Sequence, residues 1–243
     1  ANDQTWCAKL EDLDPRFDSV NMGQGGYGLD QAYLWYQRDG TRLAHDVHIF
    51  AFIFDDFRRM QERTFLGYEK PVLVIRDGRL VVDNVPVPQR PFYAAWRDPL
   101  QAITSHGTEP AAESPGAAER SRATWEVVRK VIDELVAANR AKQSQLVLVH
   151  LPTPGDFRQG ISDPWRRFAK REAEQRGLLY LDLVAALRRL PAQSIESLFI
   201  APGAVQYRAA AGHLTPKGNE WVARELYDFL AAQPAIEARL QAL

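Results

Sequence analysis

Among 243 residues there is a single cysteine, Cys7, so the chain can form no intramolecular disulfide and no cysteine-based metal site. Cys7 lies between Trp6 and Ala8 in a helical pattern, which reads as core packing. Neither charge sign is in excess. Thirty lysines and arginines face 31 aspartates and glutamates, for a formal net charge of -1. That balance lacks the electrostatic footprint of a protein that binds nucleic acid or anionic membrane, so neither partner is expected. No uninterrupted apolar run approaches the about 18 residues of a membrane helix, and no secretory signal pattern is visible. No membrane span is therefore expected in the chain, although a mature form or an excised domain would read the same way. Internal repeats are absent, and no Walker-type lysine follows the glycine-rich stretch near residue 25.

What is present is enough apolar sequence for a core: 46% of residues are hydrophobic and 25% charged, which fits one α/β domain over 1–243. Gln4 to Leu13 carries Trp6, Leu10 and Leu13 on one helical face. Phe17 to Met22 reads as a short strand, followed by the turn Gly23-Gln24-Gly25-Gly26-Tyr27-Gly28 and a helix from Leu29 to about Arg38. Val47 to Phe54 is almost wholly apolar, as a strand covered on both faces should be, and runs into Asp55-Asp56. Two apolar runs around Arg76-Asp77-Gly78-Arg79 predict a hairpin over about 71–88, an excursion from the main sheet. From 90 to 122 the pattern dissolves into Pro, Ala, Gly, Ser and Glu, the composition of a mobile surface insertion. Beyond it a helix is expected over about Ala123 to Lys142, then a strand to Leu151. A helix around Pro164 to Arg176, a strand over Leu178 to Leu183, a short helix near Val184 to Leu190 and a last helix ending near Ala232 complete the series. Strands alternating with helices argue for a parallel sheet.

The stretch with most chemical content is Ala211-Gly212-His213-Leu214-Thr215-Pro216-Lys217-Gly218-Asn219. A histidine in a small-residue turn just before a proline-initiated helix has its backbone fixed by the helix start, the posture of a general base. Exposure or capping is the plainer alternative. The motif His-Leu-Thr-Pro-Lys-Gly-Asn resembles the last sequence block of the SGNH (GDSL) ester hydrolases and O-acyltransferases, in which such a histidine activates a serine. Asn21 to Gly28 resembles the second block of that family, whose glycine N–H helps form the oxyanion hole; aligned on Asn21, that glycine is Gly26. A tight turn that needs a positive φ explains the same glycines. The resemblance implies an α/β fold of flavodoxin-like, three-layer type: a parallel sheet with helices on both faces, elaborated here by the small β-hairpin and the disordered insertion. It implies acyl-ester or carbohydrate ligands, no cofactor, and a bacterial envelope or exported setting.

The sequence departs from that family at three places. Asp55 occupies the position of the third block's Asn, whose amide donates to the oxyanion; a carboxylate has no N–H to give, and losing one donor costs about 10²–10³ in rate. Asp55 and Asp56 are alternatively a weak candidate pair for a divalent metal. Ala210 and Ala211 stand where an aspartate orients the histidine, a role for which Asp182 is a distant substitute. Gly-Asp-Ser is absent, and none of Ser19, Ser105, Ser114, Ser121 or Ser144 sits in a nucleophile turn. Two readings follow: a serine esterase or acyltransferase whose nucleophile and first strand come from an upstream segment or another polypeptide, or a catalytically degenerate relative that binds or assembles.

Overall fold

The computed structural model describes residues 2–89, 117–206 and 210–241. The fold is mixed α/β: a three-stranded parallel sheet with helices around it. The elements in chain order are α1 (Trp6–Leu13), α2 (Leu29–Arg38), β1 (Val47–Phe52), α3 (Phe54–Arg59), β2 (Thr64–Phe65), β3 (Tyr68–Glu69), β4 (Val72–Arg76) and β5 (Arg79–Asp83). They continue as α4 (Ala117–Ala141), β6 (Gln145–His150), α5 (Pro154–Arg158), α6 (Asp163–Arg176), β7 (Leu179–Asp182), α7 (Leu183–Leu187), α8 (Ala192–Glu196), α9 (Pro216–Ala231) and α10 (Pro234–Gln241). The contacts divide the chain into two compact units: Ala1–Met22, Ala44–Phe54 and Asn139–Leu243 form the first, Gly23–Leu43 and Asp55–Ala138 the second.

The first unit is built on β6, which pairs in parallel with β1 on one side and β7 on the other. Val47 lies opposite Gln145 and Phe52 opposite His150, while His150 also lies opposite Asp182 of β7. Because successive side chains of a strand alternate faces, Val147 and Val149 point to one side. There they join Leu10 of α1, Leu183 and Ala186 of α7, Val222, Leu226 and Leu230 of α9, and Ile236 and Leu240 of α10 in one core. The positions of α9 that reach it recur at intervals of four, the period of one helical face. Leu146, Leu148 and His150 point to the opposite side, and α6, with Trp165, Phe168, Ala169 and Ala173 buried, packs against β7. Cys7 is buried, as its pattern predicts, and burial pushes its thiol up to about 12. The second unit holds α2, the antiparallel pair β2–β3, and the hairpin β4–β5, whose turn is Asp77-Gly78 as expected.

Several expectations change. Phe17 to Met22 belongs to no strand among the described residues, and Val20 is left 66% exposed. The strand expected to reach Phe54 stops at Phe52, and Asp55 and Asp56 lie in the first turn of α3, where acidic groups meet the positive end of the helix dipole and Phe57 turns inward to 1% exposure. Of the expected insertion, 90–116 lies outside the described residues, whereas 117–122 are the first turns of α4, opened by the strong helix formers Ala117, Ala118 and Glu119. Pro234, which can start a helix but not continue one, separates α10 from α9.

Candidate functional site

His213 follows Gly212 in the first unit. Its N–H donates to Ala210 O at 3.1 Å, its carbonyl accepts from Ile200 N at 2.8 Å, and the N–H of Gly212 donates to Ile200 O at 2.8 Å. Thr215 then caps α9, its Oγ1 accepting from Gly218 N at 3.0 Å and donating to Ser197 O at 2.9 Å. The backbone of His213 is thus clamped on both sides while its side chain is exposed. Among the described residues no hydrogen-bond or ion-pair partner reaches the imidazole.

Asp182 does not supply one. Its carboxylate receives Nε of Arg166 at 3.0 Å and Nη2 at 2.7 Å, and accepts from Ala185 N at 3.1 Å to cap α7. Arg166 also pairs with Asp163 at 2.6 Å, and Arg188 with Asp163 at 2.9 Å. Asp156, fully buried, accepts from Thr153 N at 2.7 Å and Thr153 Oγ1 at 2.8 Å. His150 completes this cluster at the carboxyl ends of β6 and β7. Burial pulls its pKa down to about 4, against the opposing pull of Asp156 and Asp182. The cluster ties strand ends to helix starts and is closed to solvent at His150 and Asp156.

Gly26 and Asp55 belong to the second unit. Gly26 has φ +83°, and a Cβ there would run into the Phe65 ring, so only glycine fits this turn on both counts. Gly28 is the N-cap of α2, its N–H donating to Gln31 Oε1 at 3.4 Å. The turn borders a cleft of about 210 Å³ walled by Gly26, Tyr27, Phe65, Tyr68, Glu69 and Lys70. Asp55 pairs with Arg58 at 3.0 Å and Asp56 with Arg59 at 2.8 Å, both one helical turn away. Each carboxylate is therefore held by a guanidinium, and among the described residues no group of three or more His, Cys, Asp or Glu is arranged to hold a metal ion.

Three features were invisible in the sequence. Lys70 and Asp30, 40 positions apart, form a buried ion pair at 3.0 Å, with 4% and 0% side-chain exposure; burial pushes the Asp30 carboxyl up against the pull of the ammonium. At the amino ends of β1 and β6, Ser144 Oγ lies 2.8 Å from His45 Nδ1, and Asn139 Nδ2 lies 3.0 Å from His48 Nδ1. The third is the cleft itself. Only the Thr64-Phe65-Leu66-Gly67-Tyr68-Glu69 pattern, two aromatics astride a Gly-containing turn, hinted at the β2–β3 hairpin that forms one wall. No known protein-family profile matches the chain, and no curated protein matches it.

Proposed function

We propose that the chain is an SGNH-type domain for the hydrolysis or transfer of O-acyl groups on small acyl esters, carbohydrate esters among them. The scaffold in this reading is the flavodoxin-like, three-layer form of the α/β fold, completed by a strand bearing Gly-Asp-Ser from polypeptide outside the 243 residues. The serine Oγ attacks the ester carbonyl while His213 takes its proton. His213 then returns the proton to the departing alcohol, and water or an acceptor hydroxyl releases the acyl group by the reverse sequence. Gly26 N–H helps hold the developing oxyanion. The observation that supports this most is Gly26 itself: a glycine required by both φ and space, in a turn bordering a cleft, at the position where the resemblance wants a backbone donor.

A second reading, a catalytically degenerate relative that binds or assembles, is favoured by Asp55. Its carboxylate is tied to Arg58 and offers no N–H, and the aspartate that should orient His213 is replaced by Ala211.

The test begins with intact mass and N-terminal sequencing of the protein from its source, followed by fluorophosphonate labelling of the polypeptide so defined. The hydrolase reading expects one adduct, mapped to a serine upstream of Ala1, and at least a hundredfold slower labelling in His213→Ala. An adduct on Ser144 would transfer the nucleophile role to the Ser144–His45 pair and overturn the assignment of His213. No adduct on the folded protein leaves the degenerate reading standing.

A further inference from the structure

We infer that β5 is the edge through which two copies of this chain associate, strand against antiparallel strand, about a two-fold axis at Val81. The inference lies within the second unit and does not rest on the ester chemistry proposed above. The hairpin β4–β5 forms a sheet of its own, joined to no other strand among the described residues. A lone two-stranded hairpin is marginal in water, and three or more strands are the usual requirement. Sheet edges that stay single are blunted by Lys, Pro or a bulge. β5 has none of these: between Arg79 and Asp83 it holds only Leu80, Val81 and Val82, each half-buried.

The backbone fixes the register. Asp77 and Gly78 both have positive φ, the type I′ turn of a two-residue hairpin, so its flanking residues Arg76 and Arg79 bond to each other. Alternation then turns Arg79, Val81 and Asp83 toward β4 and leaves the N–H and C=O of Leu80 and Val82 pointing outward. Among the described residues those outward groups have no partner. They are satisfied when Leu80 of one copy lies opposite Val82 of the other, each such pair exchanging both N–H···O bonds. Val81 then faces Val81, and Arg79 faces Asp83 at both ends.

Charge selects the same arrangement. Arg79 is exposed and, among the described residues, has no carboxylate partner; directly across the ladder stands Arg76, a like charge that destabilises the pair. Asp83 of the second copy arrives on its open side. Arg63 at 3.0 Å, Arg76 at 3.2 Å and the N–H of Asn84 already hold Asp83. A carboxylate has about four acceptor sites, so one is left for Arg79. Parallel pairing would instead set Arg79 beside Arg79 and Asp83 beside Asp83. β4 has no such self-match, since Arg76 would face Val72. The occupant that suits this edge is therefore a second copy of the chain.

The experiment is sedimentation velocity of the purified protein over about 1 to about 300 μM, the range in which an interface of this small size associates. A monomer–dimer equilibrium is expected. Arg79→Glu should weaken the dimer about tenfold or more, because carboxylates then oppose each other at both ends. The same substitution removes the repulsion between Arg76 and Arg79, so the melting temperature of the dilute, monomeric protein should be no lower than the parent's. Val81→Cys should form an interchain disulfide on mild oxidation, since Cα atoms about 4.5 Å apart are within reach of one. Val20→Cys, equally exposed but in the first unit, should not. Cys7 is buried with its thiol pushed up to about 12, which keeps it out of the exchange. A protein monomeric throughout the range, a dimer that Arg79→Glu leaves unchanged, or crosslinking no faster through Val81→Cys than through Val20→Cys would overturn the inference. The readout is association alone, so its outcome is separate from the labelling of any serine.

Discussion

At the scale of single residues the strongest demand is set by Lys70 and Asp30. Both charges are removed from water, and each is tolerable only because the other lies 3.0 Å away. Removing one partner of such a pair costs about 3–5 kcal/mol, since a bare charge remains in a dry site, whereas replacing both with apolar residues is often neutral. Lys70→Ala should therefore lose several kcal/mol in urea unfolding, while Lys70→Met combined with Asp30→Leu should recover most of the loss; equal costs for the single and double variants would refute the pairing. Nothing in the local sequence announces this contact. Asp30 lies in the first turn of α2 and Lys70 stands between Glu69 and Pro71, and only the packing of α2 against the strand region around 68–76 brings them together. The same lesson applies to Gly26, where the sequence showed a permissive residue and the structure supplied the Phe65 ring that makes it obligatory.

At the scale of elements, α9 shows how magnitudes decide a sign. Gly218 lies in its first turn, where replacing glycine by alanine ordinarily stabilises a helix by about 0.5–1 kcal/mol. Here a Cβ would strike the carbonyl oxygen of Leu198. That oxygen already accepts from Thr215 N at 2.8 Å, so it cannot yield. Overpacking of a fixed neighbour costs about 1–3 kcal/mol, so Gly218→Ala should destabilise by about 1–2 kcal/mol in urea titration; a gain in stability would show that the turn is free to move. The start of α9 was legible beforehand, because Thr215, Pro216 and the apolar period that follows are local signals. The run from Phe17 to Met22 is not a strand, because a strand needs a neighbour and local sequence does not specify one.

For the whole molecule the dependence of stability on pH follows from groups whose titration is displaced by folding. Burial lowers His150 to about 4 and His48 to about 3, from ordinary values of 6.5. Both are neutral in the folded state across a window in which the unfolded chain binds protons. Stability should thus be full above pH 6.5 and decline as pH falls from there toward 4, because the unfolded state then holds more protons. Asp14, held down at about 2 mainly by its hydrogen bonds from Arg16, adds a further loss as pH falls from 3.8 through 2. Asp30 acts in the opposite sense, since its raised pKa favours the folded state on protonation, but it is one group against two histidines. Unfolding midpoints in urea at pH 7, 5.5 and 4.5 should fall in that order, and the Cε1–H resonances of His48 and His150 should still report neutral imidazole at pH 5. Titration of both near 6.5 would contradict the burial on which the argument rests.

Taken alone, the amino-acid sequence determined the mixed α/β class of the fold and the places of several of its elements. Both are written in short-range terms: apolar runs in Val47 to Phe52 and Leu146 to His150, helical periods around Val222 and Leu226, and the caps and turns at Thr215-Pro216 and Asp77-Gly78. It also singled out His213, Gly26 and Asp55 as positions of chemical interest. Tertiary structure alone decided what those residues touch. Asp55 lies on a helix and is paired to Arg58, Gly26 is backed by Phe65, Asp182 is committed to Arg166, and a cleft opens beside β2–β3. Such contacts join residues tens of positions apart, and the free energy that selects them comes from burial and charge pairing in the folded chain, which no local pattern encodes.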